Sequence, residues 1–190
     1  MKQCATIDIL KMQLRLAQDD QGAFRVIYDY YGARLFQFAY SIVHSREMTE
    51  EIVEDVFVQI WEKRCRLKTI ENFSFYLYVT TRNISISYLR KWRNKKHINF
   101  DEVELSYFRL DISPEDIMIS GEIIQRINTA INKLPSQCQL IFKLVKEDGL
   151  KYKEVAELMN ISIKTVENQI GIALKKIHAS VNIQLPQTLR

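Results

Sequence analysis

Two stretches of the chain carry side chains suited to nucleic acid. In RNISISYLRKWRNKKH (residues 82–97), Arg82, Arg90, Lys91, Arg93, Lys95 and Lys96 form a run without an acid, interleaved with Tyr88 and Trp92. Cations of this density neutralise phosphates. Just upstream lie Phe73, Phe75, Tyr76 and Tyr78. Aromatic rings beside bases suit unpaired nucleotides, each stacked base contributing about 1–3 kcal/mol. A solvated charged face or a membrane-surface helix would show the same run. Core packing is the ordinary fate of Phe73, Phe75 and Tyr78, which leaves Tyr76 as the ring expected to face a nucleic acid.

The second stretch is YKEVAELMNISIKTVENQI, residues 152–170. Two helices that cross steeply need a small residue at the crossing, and Ala156 supplies it. Their turn needs a residue tolerant of left-handed backbone angles, and Asn160 is the best substitute for glycine there. Ile161 plugs the gap, Ser162 caps the second helix, and Val166 and Ile170 bury its inner side. Lys164, Thr165, Glu167, Asn168 and Gln169 are left facing outward. In a helix–turn–helix these positions meet base edges in the major groove: Asn and Gln can read adenine bidentately, and Lys can take guanine or phosphate. Lys175 and Lys176 follow and suit phosphate contacts, which position without specifying. An ordinary helical hairpin is the competing reading.

Other chemistries find little support. His44, His97 and His178 are not paired with acids or cysteines at metal-ligand spacing. No glycine-rich phosphate loop or G-x-S-x-G elbow occurs. No metal, cofactor, small-molecule substrate or catalytic residue is therefore expected. Cys4, Cys65 and Cys138 are odd in number and widely spaced, which fits free thiols in a reducing cytoplasm. Asp8, Lys11 and Arg15 come too early for a secretory signal peptide, and no apolar run approaches the ~18 residues of a membrane span. The expected location is cytoplasmic.

The elements that must position these residues are helices. With only 5 Gly and 3 Pro in 190 residues, long helices are favoured over many short strands. Asp19 or Asp20 caps a first helix whose Phe24, Ile27, Tyr28, Tyr31, Leu35, Phe38 and Ile42 recur at steps of three and four. After the polar HSREMTEE, Thr49 is expected to cap EEIVEDVFVQIWEKR. Ile52, Val53, Val56, Phe57, Ile60 and Trp61 would line its buried side. A loop, CRLKTIEN, leads to a third helix from about Phe73 to Arg93. Residues 98–118 then hold six acids against the single base Arg109, and read as a linker. Ser113 and Pro114 would open the next helix. Beyond it, Pro135 can start another helix and Gly149 can end that one. The fold class expected is all-α: a helical domain over 1–97, an acidic linker over 98–118, and a C-terminal domain over 119–190 containing the helix–turn–helix.

The order AFRVIYDYYGARLFQFAYSIV, TEEIVEDVFVQIWEK, FYLYVTTRNISISYLRKW, acidic linker, LPSQCQLIFKLVKEDGLKYKEVAELMNISIKTVENQI resembles the extracytoplasmic-function sigma factors. These are the two-domain branch of the bacterial sigma superfamily. The likeness runs from about Phe24 to His178, and KTVENQI looks most like members from Bacteroides-type bacteria. The resemblance implies a factor that binds core RNA polymerase, directs it to promoter DNA and helps to open it. By analogy Glu51, Glu54, Asp55 and Gln59 would meet the polymerase clamp. The CRLKTIEN loop and the basic helix would read and melt the promoter element nearer the start site, and the family places a flipped base in a pocket formed by that loop. The candidates are Lys68, Asn72, Tyr76, Arg82, Asn83, Arg90, Lys91 and Arg93. Lys164 to Gln169, with Lys175 and Lys176, would serve the distal element. The resemblance also implies control by an anti-sigma factor at the inner membrane. The chain departs from the family in carrying Tyr76 where Trp is usual, and Gln139 and Ile172 where a base is frequent, which removes phosphate contacts. A stand-alone dimeric helix–turn–helix regulator is the alternative, but it leaves the basic helix and the acidic linker unexplained.

Overall fold

The computed structural model describes residues 7–96 and 120–182, with side chains from 7 to 92 and from 126 to 180. All regular structure among the described residues is helical. The chain divides into two compact units, Met1–Leu105 and Ser106–Arg190. The acidic linker with its Ser113–Pro114 cap lies outside the described residues.

The first unit holds α1 (Ile9–Leu16), α2 (Gln21–Val43), α3 (Arg46–Glu62), the single turn α4 (Arg64–Leu67) and α5 (Phe73–Lys96). Helices α2, α3 and α5 pack on one another. Asp20 caps α2, accepting from the Ala23 N–H at 3.1 Å. That bond, with the Arg15 guanidinium beside it, holds the Asp20 carboxyl below its ordinary pKa. Ile27, Tyr31, Leu35 and Phe38 are buried as their spacing predicts, while Tyr28 is 46% exposed on the shoulder of that face. Its ring still meets Phe57, with centroids 4.6 Å apart. From α3 come Ile52, Val56, Phe57 and Ile60, and from α5 Phe73, Leu77 and Tyr78. Each such burial stabilises the fold by roughly 1.5–3 kcal/mol. The inner face of α5 also carries Thr81 and Ser85, both fully buried. Each returns its hydroxyl proton to the carbonyl four residues back, at 2.8 Å, so these small side chains admit close helix approach without an unmet polar group.

Thr49 does not cap α3. The helix starts one turn earlier, where extended Ser45 accepts from the Met48 N–H and Glu47 enters the first turn. Thr49 is buried inside the helix and donates to the Ser45 carbonyl at 2.6 Å. Ser45 wins because α2 ends sharply just before it: His44 adopts left-handed angles and returns its N–H to Tyr40. Two further elements went unforeseen, namely α1 and the turn α4 within CRLKTIEN.

The second unit holds α6 (Ser120–Asn132), α7 (Ser136–Lys146), α8 (Tyr152–Met159) and α9 (Ile163–Asn182), with α9 packed against all three others. Its core is Leu134, Ile141, Leu144, Val155, Leu158, Val166, Ile170 and Ala173. Gly149, at φ +70°, follows α7 and lets the Leu150 N–H fold back onto the Leu144 carbonyl.

Candidate nucleic-acid interfaces

In the second unit the local geometry follows from the sequence of the turn. Asn160 adopts φ 53°, ψ 46°, the left-handed region. The Ile161 N–H returns to the Ala156 carbonyl at 3.0 Å, closing α8. Ser162 accepts from the Thr165 N–H at 3.0 Å, opening α9. Val166 and Ile170 are buried, so the opposite side of α9 faces out. Lys164, Glu167 and Asn168 are exposed there, Thr165 and Gln169 half-buried, and Lys175 and Lys176 exposed further along. Lys164 and Glu167 are joined by an ion pair of 3.0 Å, which tempers the positive charge at this end. The Gln169 carbonyl accepts from the buried Cys138 thiol, whose pKa burial pushes up. Gln139, expected where a phosphate contact is frequent, instead lies buried and donates to Asn132 at 3.1 Å. It fastens α7 to α6 and does not face a ligand. Ile172 is exposed.

In the first unit the reading surface is assembled from separate elements. Asn72 caps α5, accepting from the Phe75 N–H at 3.0 Å, so its carboxamide oxygen is already committed. Residues seven apart on a helix lie within about 20° of one another, which lines up Tyr76, Asn83 and Arg90. Along that line Tyr76 is half-buried, and Asn83 and Arg90 are exposed, as is neighbouring Lys91. Arg82 is half-buried and sits about 100° round the helix from Asn83. Lys68 is exposed at the end of α4. Phe73 and Tyr78 are in the core, against Tyr31 and Phe38 respectively. Helix α5 runs through Arg93, whose side chain is outside the described set, as are those of Lys95 and Lys96.

The acidic side of α3 lies beside this helix. Glu51, Glu54 and Asp55 are exposed and Gln59 half-buried. Tyr88 of α5 donates its hydroxyl to Asp55 at 2.8 Å. That bond, reinforced by partial burial and by the charges of Asp55, Glu51 and Glu54, pushes the phenol up to about 12. The Lys91 ammonium lies 5.7 Å from the Tyr88 ring centroid. Asp55, Val58, Gln59, Tyr88 and Lys91 are among the walls of an open groove of ≈ 420 Å³ between α3 and α5. Val58, in its wall, is 56% exposed. Among the described residues no group of His, Cys, Asp or Glu converges as metal ligands, and no helix is long and apolar enough to cross a membrane.

Two groups that bear on the site were missed in the residue pattern. Gln13 is buried and bonded to the backbone of the α4 loop, and Arg64 stacks on Trp61 at 4.6 Å while pairing with Asp19. The one available signal for Gln13 was a polar side chain at a spacing, four after Ile9 and three before Leu16, where a buried residue was due.

Comparison with known proteins bears on both units. Residues 27–95 match Sigma-70 region 2, and residues 124–177 match Sigma-70, region 4. The ECF RNA polymerase sigma factor SigW of Bacillus subtilis (strain 168) is 26% identical over 169 residues, covering 85% of this chain and 90% of that protein. The ECF RNA polymerase sigma-E factor of Escherichia coli (strain K12) is 26% identical over 174 residues, 88% of this chain and 91% of that one. A solved chain of the sigma factor RpoE from Bartonella quintana, determined with the anti-sigma factor NepR, is 19% identical. It covers 85% of this chain and 98% of that one, at a TM-score of 0.49.

Proposed function

The chain belongs to the sigma-70 family as a transcription-initiation factor of the extracytoplasmic-function type, and from that premise we propose how its surfaces divide the work. The first unit docks on core polymerase through the outward acids of α3, Glu51, Glu54 and Asp55, with Gln59 beside them. The loop around Lys68 and Asn72 and the α5 residues Tyr76, Arg82, Asn83, Arg90, Lys91 and Arg93 engage the proximal promoter element and favour its melting. The second unit reads the distal element through Lys164, Thr165, Glu167, Asn168 and Gln169, steadied by Lys175 and Lys176. The residues 98–118 serve as the linker between a domain over 1–97 and one over 119–190.

The observation that carries this reading is the outward face of α9: capped by Ser162, anchored by Val166 and Ile170, and leaving Lys164 and Asn168 free of the core. A helix N-terminus so exposed fits a major groove. Tyr76, Asn83 and Arg90 in line on α5 support a second contact of a different kind, suited to unstacked bases. Only a few of each unit's cations would contact phosphate, so DNA affinity comes from tethering both to one enzyme, which raises effective concentration without new contacts. The protein works in the cytoplasm, contributes no catalysis of its own, and is restrained by an anti-sigma partner at the inner membrane.

The test is transcription from genomic DNA by core polymerase with and without the purified protein, mapping the start sites. Start sites sharing two spaced elements should appear only with the protein, and the protein alone should bind those sites weakly. Equal opening of the same sites by core polymerase alone would refute the proposal.

A further inference from the structure

Helix α1 lies before residue 27, outside the stretch that matches region 2. It is nonetheless tied to the loop on which the proposed proximal reading rests. Gln13 is 2% exposed. Its carboxamide donates to the Leu67 carbonyl at 2.6 Å and to the Ile70 carbonyl at 2.8 Å. Those carbonyls belong to the end of α4 and the turn after it, where a helix leaves acceptors without intrahelical partners. Leu67 itself is fully buried, and the Ile70 N–H closes onto its carbonyl at 2.9 Å. Nearby, Asp19, held at φ 65° in the turn after α1, pairs with Arg64 at the start of α4. The Arg64 guanidinium also donates to the Trp61 carbonyl at 2.8 Å and stacks on its ring. The short loop is thus gripped at both ends of α4 by one segment from elsewhere in the chain: Asp19 holds its first residue, Gln13 its last.

We propose that Gln13 is a positioning residue for promoter reading: by its two hydrogen bonds, assisted by Asp19 on Arg64, α1 sets the backbone of residues 64–72 in the shape that receives a promoter base. The inference rests on the proposal that this loop contacts the proximal element. Gln13 itself touches no DNA. Without Gln13 the Leu67 carbonyl keeps only the Ile70 N–H, and the part-buried Ile70 carbonyl loses the carboxamide that holds it, so the loop shifts until that acceptor finds another donor. A pocket that reads one base tolerates displacements of only about half an ångström. The exposed residues Lys68 and Thr69 ride on the segment so displaced.

The experiment uses the full chain bound to saturating core polymerase. The probe is a pool of single-stranded oligonucleotides randomised across the proximal element, and the bound fraction is sequenced. Gln13→Met keeps the volume and removes both donors. It should flatten the base preference at one position by about tenfold, the size of a single lost base contact. Asp19→Asn leaves the left-handed turn tolerable and removes only an exposed charge. It should weaken the same preference about twofold, and it carries the test should Gln13→Met not fold. Ile27→Val, a core truncation chosen to match the loss of thermal midpoint, should leave the preference intact. A general loosening would move all three together and overturn the proposal. Lys68→Ala separates the two layers. Should it leave the preference unchanged, the loop does not read the promoter and the inference goes with that reading. Should Lys68→Ala flatten the preference while Gln13→Met and Asp19→Asn keep the wild-type profile, the brace alone is wrong.

Discussion

The two units hold their reading elements in different ways. In the second unit the turn that opens α9 is built within a single run of residues, Ala156 at the crossing, Asn160 in the turn, Ser162 at the cap, Val166 and Ile170 underneath, and its backing from α6 and α7 is mainly apolar. In the first unit the reading surface is fastened by polar contacts between distant parts of the chain. Gln13 reaches Leu67, Tyr31 shares a 2.6 Å hydrogen bond with Ser74, and Tyr88 reaches Asp55. A motif held by local caps and apolar contacts loses its stability and its aim together. A surface pinned by separate polar fasteners can lose its aim while its core survives.

The largest effect expected tests the first half of that contrast. Ile170→Ala removes a buried anchor of α9 and should cost about 2–5 kcal/mol, measured by denaturant unfolding. Protection of the distal element in a holoenzyme footprint should fall in step with the folded fraction. A variant that stays folded at the assay temperature yet loses distal protection would break the comparison. Next comes Gln13→Met in the first unit. Removing both carboxamide bonds, one to a carbonyl that keeps a second donor and one to a part-buried carbonyl, should cost about 1–3 kcal/mol, less than the Ile170 truncation. Proximal base preference should fall further than that loss of stability explains. If the two variants show the same ratio of recognition lost to stability lost, the units do not differ in this respect.

This difference also decided what could be read from the residues alone. The helical periods of α2, α3, α8 and α9, the left-handed Asn160 and the Ser162 cap are encoded within a few residues of where they act, and they were legible. The Thr49 cap was misplaced because two hydroxyls compete near the start of α3, and the tight left-handed end of α2 at His44 settled the matter for Ser45. At Gln139 the residues showed only that a frequent base is missing; the inward turn of its side chain to Asn132 has no local mark. Gln13, Arg64 and the Tyr88–Asp55 bond depend on folding across 33 to 57 residues, a separation that periodicity does not see. Of the proximal candidates, Lys68, Asn83, Arg90 and Lys91 emerge exposed, but Asn72 is partly spent as a cap.

A third, smaller effect sharpens the account of the second unit. Asn160→Ala puts an ordinary side chain at left-handed angles and should cost about 1–2 kcal/mol, whereas Asn160→Gly should be far milder. Thermal melts of the two variants give the order directly. An Ala variant as stable as the Gly variant would mean that the turn relaxes, and that the Asn160 angles do not fix the aim of α9.

The smallest effect concerns the fastener between α3 and α5. Tyr88 donates to Asp55 only while the phenol is neutral, and its pKa is raised from 10.0 to about 12. A raised folded value means that the bond contributes fully below the ordinary phenol pKa and is lost as pH climbs through the folded one. The window is therefore pH 10 to about 12. At neutral pH Tyr88→Phe should lower stability by only about 0.5–1 kcal/mol, because water competes for a pair at the surface. Ultraviolet titration isolates the bond more cleanly. In the difference between wild type and Tyr88→Phe, one phenolate should appear late, near the top of that window. Asp55→Asn weakens the hydrogen bond that contributes most to the shift and removes the Asp55 charge as well, so the same phenolate should then appear closer to the ordinary value. A Tyr88 that titrates near 10 in both proteins would show that α5 is not fastened to the acidic face of α3, and that the first unit has one polar fastener fewer than the comparison requires.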